Sequence, residues 1–275
     1  MNDMDNKRDL ILVRHDDRPL GRVTYVTFNN PEKRNSLNVE GKERFIEVLS
    51  QLRHDSQLRV LVITGAGDKS FVGGTDINQM MNFDALQAEI SSTRTHRMCD
   101  AVRTFPAPVI ARINGYCFGS GMELAACADM RAASDDALFG MPETRHGIVS
   151  GMEANVLPRL IGWGKACELV LTGDLIDAQE AYRIGYLERL VPRKDLNDAV
   201  EKWIGSLLAC GPTALRLQKK LIQDWATLSI TDGARAGIQA AVDAFRTDEP
   251  RRYMEHFLEQ RRLKRAGKAG SVSEP

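Results

Sequence analysis

The sequence predicts an α/β protein with a parallel sheet, followed by an all-helical C-terminal part. Residues 59–64 and 109–113 are near-continuous apolar runs, which are typical of buried strands, and residues 84–104 between them have a helical pattern. Because parallel strands need a crossover connection, strands that alternate with helices favour a parallel sheet. From about residue 153 onwards, apolar residues recur at helical spacing instead.

The N-terminal part predicts two strands and then an amphipathic helix. Residues 9–14 and 22–28 are β-rich runs separated by a turn at 19–21. Asn38 is suited to cap the following helix, because its side chain can accept a backbone N–H. The buried face of that helix consists of apolar residues at positions i, i+3, i+4 and i+7, which are Phe45, Val48, Leu49 and Leu52.

Residues 123–139 predict one more helix and two short strands, and a later helix is marked at both ends. Asp177 and Glu180 fit a capping box, and Gly185 fits the position just after a helix, where glycine accepts a left-handed conformation. A soft boundary falls near Pro192. We predict an α/β core over 9–192, a helical region over 193–263, and disordered tails at 1–8 and 264–275.

Composition disfavours several functional classes. The 275 residues include 37 basic and 37 acidic side chains, so the zero net charge gives no electrostatic footprint for nucleic acid or an anionic membrane. No run approaches the roughly 20 apolar residues of a membrane span, and the polar N-terminus predicts no secretory signal. The five cysteines are widely spaced without a C-x-x-C pair, which predicts reduced thiols, a cytoplasmic location and no metal site.

Three apparent motifs fail on inspection. Residues 65–70 lack the Gly-Lys-Ser/Thr ending of a phosphate loop, and residues 118–122 lack the flanking glycines of a nucleophile elbow. Leu124 stands where the third glycine of a dinucleotide fingerprint belongs. The five histidines form no H-E-x-x-H pair. A nucleotide hydrolase, a serine hydrolase and a zinc enzyme are therefore disfavoured.

Two glutamates carry the clearest chemical signal. Glu123 follows Gly119 and Gly121, and Glu143 follows Gly140, and the neighbours of both acids are small and mostly apolar. Each carboxyl group is therefore expected in a pocket, where two acids can divide general acid and general base work. For a single glutamate, a capping or solvated residue is the ordinary alternative.

Two glycine-rich turns can supply backbone N–H groups to a developing oxyanion. The turn at 71–77 follows the strand at 59–64, and the turn at 119–121 opens a helix whose dipole favours negative charge. For the first turn, a tight bend that needs glycine for a positive φ is an equal alternative. Together with the two glutamates, the turns offer the parts of an enolate-type mechanism.

Several segments, in the right order, resemble the crotonase, or enoyl-CoA hydratase/isomerase, family. They span about residues 10–195, and the ending at 256–262 resembles that family's last helix. The matching segments are 30–38, 71–77, 113–125, 139–143, 171–173, 178–181 and Gly185.

The resemblance implies a fold and an assembly. The fold would be a crotonase-like spiral of ββα turns, with a C-terminal helical region that builds trimers. Two trimers commonly stack in that family, so we expect a homotrimer or a homohexamer. The partner would be an acyl-CoA thioester substrate, with coenzyme A as part of the substrate and no separate cofactor.

Carried over by position, the resemblance also implies the chemistry. The oxyanion hole would be the backbone N–H groups of Thr75 and Ser120. Glu123 would deprotonate the water that adds at Cβ of a 2-trans-enoyl-CoA, and Glu143 would deliver the proton to Cα. The product would be a 3-hydroxyacyl-CoA.

The resemblance implies further contacts to the substrate or to coenzyme A. Lys33 and Arg34 would contact its phosphates or adenine, with solvated turn charges as the alternative. The full set of implied contact positions is Lys33, Arg34, Gly73, Gly74, Asp76, Ile77, Met80, Gly119, Phe257 and Arg261.

Some of these positions have equally ordinary structural interpretations. Met80, with Met81 and Phe83, would line the acyl pocket, or would pack in the core. Phe257 and Arg261 would reach the coenzyme A of a neighbouring subunit, or would lie on a surface helix.

The chain departs from the family's pattern at three places. Thr75 stands where alanine is common, Ser120 stands where glycine is common, and residues 149–154 replace a Pro-Gly-x-Gly-Gly run beside Glu143. Because both hole donors are backbone groups, function survives if the two side chains point away. The alternatives are an enoyl-CoA isomerase, decarboxylase or C–C hydrolase, or a non-enzymatic or RNA-binding scaffold, whose RNA version the balanced charge disfavours.

Overall fold

A computed structural model describes residues 9–265. The strands are β1 (Ile11–Arg18), β2 (Gly21–Phe28), β3 (Leu58–Gly65), β4 (Ser70–Val72), β5 (Val109–Ile113), β6 (Tyr116–Phe118), β7 (Met130–Ser134), β8 (Leu138–Gly140), β9 (Leu175–Asp177) and β10 (Arg189–Val191). The helices are α1 (Val39–Leu52), α2 (Ile77–Met80), α3 (Ala85–Arg103), α4 (Ser120–Ala126), α5 (Leu157–Ile161), α6 (Trp163–Thr172), α7 (Ala178–Arg183), α8 (Leu196–Leu208), α9 (Pro212–Trp225), α10 (Ile230–Phe245) and α11 (Glu249–Arg265).

The strands form two sheets, and the chain alternates between them. The larger sheet has the order β1-β2-β3-β5-β7-β10, and only its β1–β2 pair is antiparallel. The smaller sheet has the order β4-β6-β8-β9, with β4, β6 and β8 parallel. Along the chain, β3, β5 and β7 each enter the larger sheet, and the strand that follows each of them, β4, β6 or β8, enters the smaller sheet. The predicted α/β class and the spiral of ββα turns are confirmed.

The middle strand of the large sheet is apolar on both faces because both faces are covered. Leu61 and Ile63 pack into the main core, together with Phe45 of α1. Val60 and Val62 point to the other face, where Ile204 of α8 covers them. All four strand residues are fully buried. A continuous apolar run is the expected pattern for such a strand.

The change to helical structure predicted from about residue 153 is wrong in one respect, whereas the all-helical part predicted after Pro192 has no strand within residues 193–265. The short strands β9 and β10 lie in this part, and each adds an edge to one of the two sheets. A three-residue strand offers too few positions for an alternating pattern, so the sequence carries no strand signal there.

The cap by Asp177 and the glycine stop of α7 are confirmed, because Asp177 Oδ1 accepts the Glu180 N–H at 2.7 Å and Gly185 has a φ of 83°. The capping box is incomplete, because the Glu180 carboxylate pairs with Lys165 and Arg183 instead.

The C-terminal helices α9, α10 and α11 follow the sheets. Glu249, at the start of α11, accepts the backbone N–H groups of Thr213 and Ala214 at the N-terminus of α9, at 2.9 and 2.8 Å. Helix α11 runs through Arg265, so the predicted tail begins too early, and basic side chains in the last turn favour this extension. The predicted tails at 1–8 and 266–275 lie outside the described residues. Within residues 9–265, no helix has both the length and the apolar character that crossing a membrane demands.

Candidate active site

Three parallel strands of the small sheet bring the predicted site together. In the registers of this sheet, Val72 of β4 is opposite Cys117 of β6, and Phe118 of β6 is opposite Gly140 of β8. Because the carboxyl ends of parallel strands lie at one edge of a sheet, the segments after β4, β6 and β8 must meet there. These three segments contain the two glycine turns and Glu143.

The turn after β4 presents the Thr75 amide. Leu37 pairs with this turn on both sides, since its N–H donates to the Gly74 carbonyl at 2.8 Å and its carbonyl accepts the Asp76 N–H at 3.0 Å. The Thr75 N–H between them has no acceptor within residues 9–265. Gly74 adopts a φ of 98°, which a residue with a side chain rarely adopts.

The turn after β6 presents the Ser120 amide at the start of α4. Gly119 has a φ of 51° and donates its N–H to the Gly140 carbonyl at 2.9 Å. Ser120 is the first residue of α4, where backbone N–H groups lack an intrahelical acceptor. Its amide also has no acceptor in the described part of the chain. The hydroxyl oxygens of Thr75 and Ser120 are 3.2 Å apart, so the two turns are in contact.

Glu123 lies one turn into α4 and is almost completely buried, with 1% of its surface exposed. Its Oε1 accepts the Ala154 N–H at 3.0 Å, while its Oε2 is buried without a partner among the described residues. Burial, assisted by the negative charge of Glu143, raises the pKa of Glu123 to about 7. A carboxyl group with this pKa can exchange protons at neutral pH.

Glu143 lies in the 3-10 turn Pro142–His146 and is half-buried. Its Oε1 lies over Gly119, so closely that a Cβ at that position would be 2.6 Å from this oxygen. The Ser150 hydroxyl donates to its Oε2 at 2.8 Å. Burial raises the pKa of Glu143, and the hydrogen bond from Ser150 opposes that rise. Glycine at 119 is therefore required both by its backbone angle and by the approach of Glu143.

A cavity of about 790 Å³ opens at this edge of the sheet. One part of its wall is apolar, with Met80, Met81 and Phe83 among its residues. Another part is polar, with Lys42 of α1 and hydroxyl side chains of α3. The predicted site residues that line the cavity are Gly73, Gly74, Thr75, Ile77, Met80, Gly119, Ser120 and Glu143.

The remaining predicted residues lie outside the cavity lining. Lys33 is exposed, and its Nζ is 3.6 Å from Oδ2 of Asp76, which also caps α2. The Arg34 guanidinium lies over the ring of Tyr116, at 5.3 Å from its centre.

The last three predicted residues lie on two helices, α11 and α4. Phe257 and Arg261 lie on α11, with the guanidinium of Arg261 5.7 Å from the exposed ring of Phe257. Glu123 is buried immediately behind the oxyanion turns and is not part of the cavity surface.

Sequence reasoning missed three groups of this site. Lys42 lies three residues before Phe45 on the buried face of α1, and a lysine on an apolar stripe is a signal that could have found it. Ser150 and the Ala154 amide, which bond the two glutamates, lie in the segment 149–154 that departs from the family's pattern. Their contacts could not be predicted because that segment has no regular structure before the turn Glu153–Val156.

Glu143 and the two unpaired amides line one cavity, and Glu123 is buried close to them on α4. Such a set of groups is typical of enzymes that do acid/base chemistry beside a developing oxyanion. The chain belongs to the enoyl-CoA hydratase/isomerase family, which matches residues 20–267.

Individual relatives agree with this assignment. The chain is 34% identical to crotonyl-CoA hydratase of Syntrophomonas wolfei over 242 residues, covering 88% of this chain and 93% of the relative. It is 31% identical to short-chain-enoyl-CoA hydratase of Clostridium acetobutylicum over 244 residues, covering 88% and 94%. The crystal structure of enoyl-CoA hydratase from Bacillus anthracis superposes with a TM-score of 0.87 at 31% identity, covering 92% and 97%.

Proposed function

We propose that this enzyme hydrates 2-enoyl-CoA thioesters to 3-hydroxyacyl-CoA, with Glu123 and Glu143 as the acid/base pair. The observation that carries the proposal is that Glu143 lies over Gly119 beside the unpaired Thr75 and Ser120 amides, while Glu123 lies one turn further along α4, near enough for the two carboxyl charges to interact. Hydration needs one proton removed from water and one delivered to carbon, and two such groups can divide these two transfers between them. The relatives named as hydratases support the same reaction.

The proposed reaction starts from the state in which the two carboxyl groups hold one proton between them, on Glu143. The water oxygen bonds to Cβ while Glu123 takes a proton from the water. The electrons of the double bond move toward the thioester carbonyl, and the proton on Glu143 then adds to Cα. A pKa of about 7 suits Glu123 to a base that must also return its proton in the reverse dehydration. After each turnover, one proton has moved from Glu143 to Glu123, and exchange with solvent restores both groups.

The enolate oxygen formed in this step would accept hydrogen bonds from the Thr75 and Ser120 amides. Both are backbone groups, and the Thr75 and Ser120 hydroxyls lie 3.2 Å from each other. Each donor of this kind typically contributes about 2.7–4 kcal/mol of transition-state stabilisation. The reaction uses no separate cofactor, since coenzyme A arrives as part of the substrate.

The test is a panel of short, medium and branched 2-enoyl-CoA thioesters, scored by loss of the conjugated thioester absorbance. We expect hydration of at least one member, and an enzyme that leaves the whole panel unchanged contradicts the proposal. A Glu123→Gln variant that is fully active on a 3-enoyl-CoA would instead favour isomerisation, which needs a single base.

We also infer a homotrimer or homohexamer, in which the C-terminal helices form the contact between subunits. Large apolar side chains are exposed there in a single chain, including Trp225, Ile238, Phe245 and Phe257. Such a cluster is unusual on a monomer surface and is typical of an interface. Light scattering should give three or six times the 30.6 kDa chain mass, and a monomer would contradict the inference.

The assignment to the cytoplasm remains a prediction. All five cysteines are free thiols, with Cys99, Cys117 and Cys127 buried, which agrees with a reducing compartment.

A further inference from the structure

Lys42 is a buried cation on the wall of the cavity. Only 1% of its surface is exposed, and its Nζ donates to Thr75 Oγ1 at 3.2 Å and to Ser91 Oγ at 3.1 Å. Both acceptors are neutral hydroxyl groups. Within residues 9–265, Lys42 forms no ion pair with a carboxylate.

A second buried lysine shows how an ammonium group is accommodated elsewhere in this fold. Lys219 of α9 is also buried, and its Nζ is 2.7 Å from Asp129 Oδ2 and 2.9 Å from the Ala107 carbonyl. A buried charge is costly unless an opposite charge pairs with it. Lys219 has such a partner, and Lys42 does not.

The charged and titratable groups facing Lys42 do not supply a full counter-charge. Arg94 and Cys99 lie on α3 and Glu123 on α4, and Arg94 adds positive charge. Burial lowers the pKa of Lys42 to about 8, so the ammonium remains largely protonated at neutral pH. Glu123, with its pKa of about 7, is only partly ionised under the same conditions.

The position of Lys42 relates it to the reacting part of the substrate. Its hydrogen-bond acceptor Thr75 supplies one of the proposed oxyanion amides, so Nζ lies one side chain away from the thioester. The hydroxyl groups of Ser91, Ser92 and Thr95 from α3 share this wall. The polar wall therefore lies beside the turn that supplies the Thr75 amide.

We propose that the preferred substrate is an enoyl-CoA whose acyl group carries a carboxylate, and that this carboxylate binds the Lys42 ammonium and the α3 hydroxyl groups. This inference rests on the proposed hydration and specifies which class of acyl group the enzyme prefers. A carboxylate would supply the missing counter-charge, whereas a neutral hydroxyl or carbonyl group would leave the ammonium unpaired. The hydroxyl side chains at 75 and 120 then form a polar link between the subsite and the oxyanion hole.

The test compares two substrates that differ in charge and scarcely in shape. These are 4-carboxybut-2-enoyl-CoA and its neutral amide, 4-carbamoylbut-2-enoyl-CoA, with crotonyl-CoA as the reference for hydration itself. For the wild-type enzyme we expect kcat/KM for the carboxylate to exceed that for the amide by about 10- to 100-fold, as a charge-assisted contact provides. Activity on crotonyl-CoA without this preference overturns the inference and leaves the hydratase function intact.

Substitution of Lys42 asks whether the preference comes from this residue. Lys42→Met should bring kcat/KM for the carboxylate close to kcat/KM for the amide. Lys42→Arg should retain part of the preference for the carboxylate. Equal losses on both substrates would mean that Lys42 acts on the oxyanion or on folding, and would overturn the inference. Lys219→Met is the matched control, because it removes a buried lysine outside the cavity and should not change the ratio. The wild-type comparison stands even if a lysine variant fails to fold.

Discussion

Glu123 and Glu143 have the same side chain but lie on two different kinds of secondary structure. Glu123 is on a buried helix, and a backbone N–H from residue 154 holds one of its oxygens. Glu143 is on a 3-10 turn whose following residues, 144–149, are all exposed, and a serine hydroxyl holds one of its oxygens. Burial raises the pKa of both groups, but to different extents and against different opposing contacts.

This difference indicates how one site obtains two roles from one residue type. Glu123 is enclosed by elements that cannot move without disturbing the core, which suits a group that orients a water molecule. Glu143 faces the cavity beside an irregular segment, which suits a group that reaches a carbon atom of a variable acyl chain.

Removing either acid should nearly stop hydration. Glu123→Gln and Glu143→Gln should each lower kcat by about 10²–10⁴-fold, because a positioned general acid or base contributes that much, with a modest change in KM. Steady-state kinetics on the best enoyl-CoA substrate measures both values, and thermal unfolding confirms that the variants fold. A variant with undiminished kcat would remove that glutamate from the proposed mechanism.

The burial of Glu123 should make the free energy of unfolding depend on pH. Its pKa is about 7 in the folded state against 4.5 ordinarily, so the folded protein retains a proton that the unfolded chain releases. Wild-type stability should therefore fall as the pH rises between these values. Glu123→Gln lacks this titration and should be more stable than wild type by up to about 3 kcal/mol at pH 8, with little difference at pH 4.

Urea unfolding at the two pH values measures this difference. Glu143→Gln should show an effect of the same sign but smaller, because the Ser150 hydrogen bond opposes the rise in its pKa. A stability difference for Glu123→Gln that is the same at both pH values would contradict the assigned titration.

The contact between Glu143 and the second glycine turn should be intolerant of a methyl group. Gly119→Ala would place a Cβ 2.6 Å from Glu143 Oε1 and would force alanine into a positive φ, so we expect kcat to fall by about 100-fold. Gly205→Ala is the matched control, because a Cβ there would contact nothing within 4 Å and alanine favours its helix. Equal kinetics for the two variants would argue against the observed approach of Glu143.

Substitution of Ser150 should have the smallest effect, and this effect should reach Glu143 only. Ser150→Ala removes the hydrogen bond to the ionised form of Glu143, so the pKa of Glu143 should rise. We expect a two- to tenfold change in kcat/KM, in line with the loss of about 1 kcal/mol for one hydrogen bond. In the pH–rate profile, only the inflection that belongs to Glu143 should move. A shift of both inflections would contradict separate roles for the two glutamates.

Much of the site could be predicted because its parts are local. Gly74 and Gly119 have positive φ angles, which residues with a side chain rarely adopt. A glycine in the sequence is therefore a usable sign of such a turn. Glu123 follows Gly119 and Glu143 follows Gly140 at short spacing, so both could be selected as candidates without knowledge of distant contacts. Lys42 was missed because its partners, Thr75 and Ser91, are 33 and 49 residues away along the chain.

Local patterns in the sequence were enough to predict the α/β alternation, the two glycine turns and the two candidate glutamates, since each depends on periodicity or on the backbone needs of a few adjacent residues. The tertiary structure alone decided the enclosure of Glu123, the support of Glu143 by Ser150, and the uncompensated charge of Lys42 beside the cavity. The physical reason is that burial and charge pairing depend on which elements meet, and the parallel pairing of β4, β6 and β8 sets that meeting.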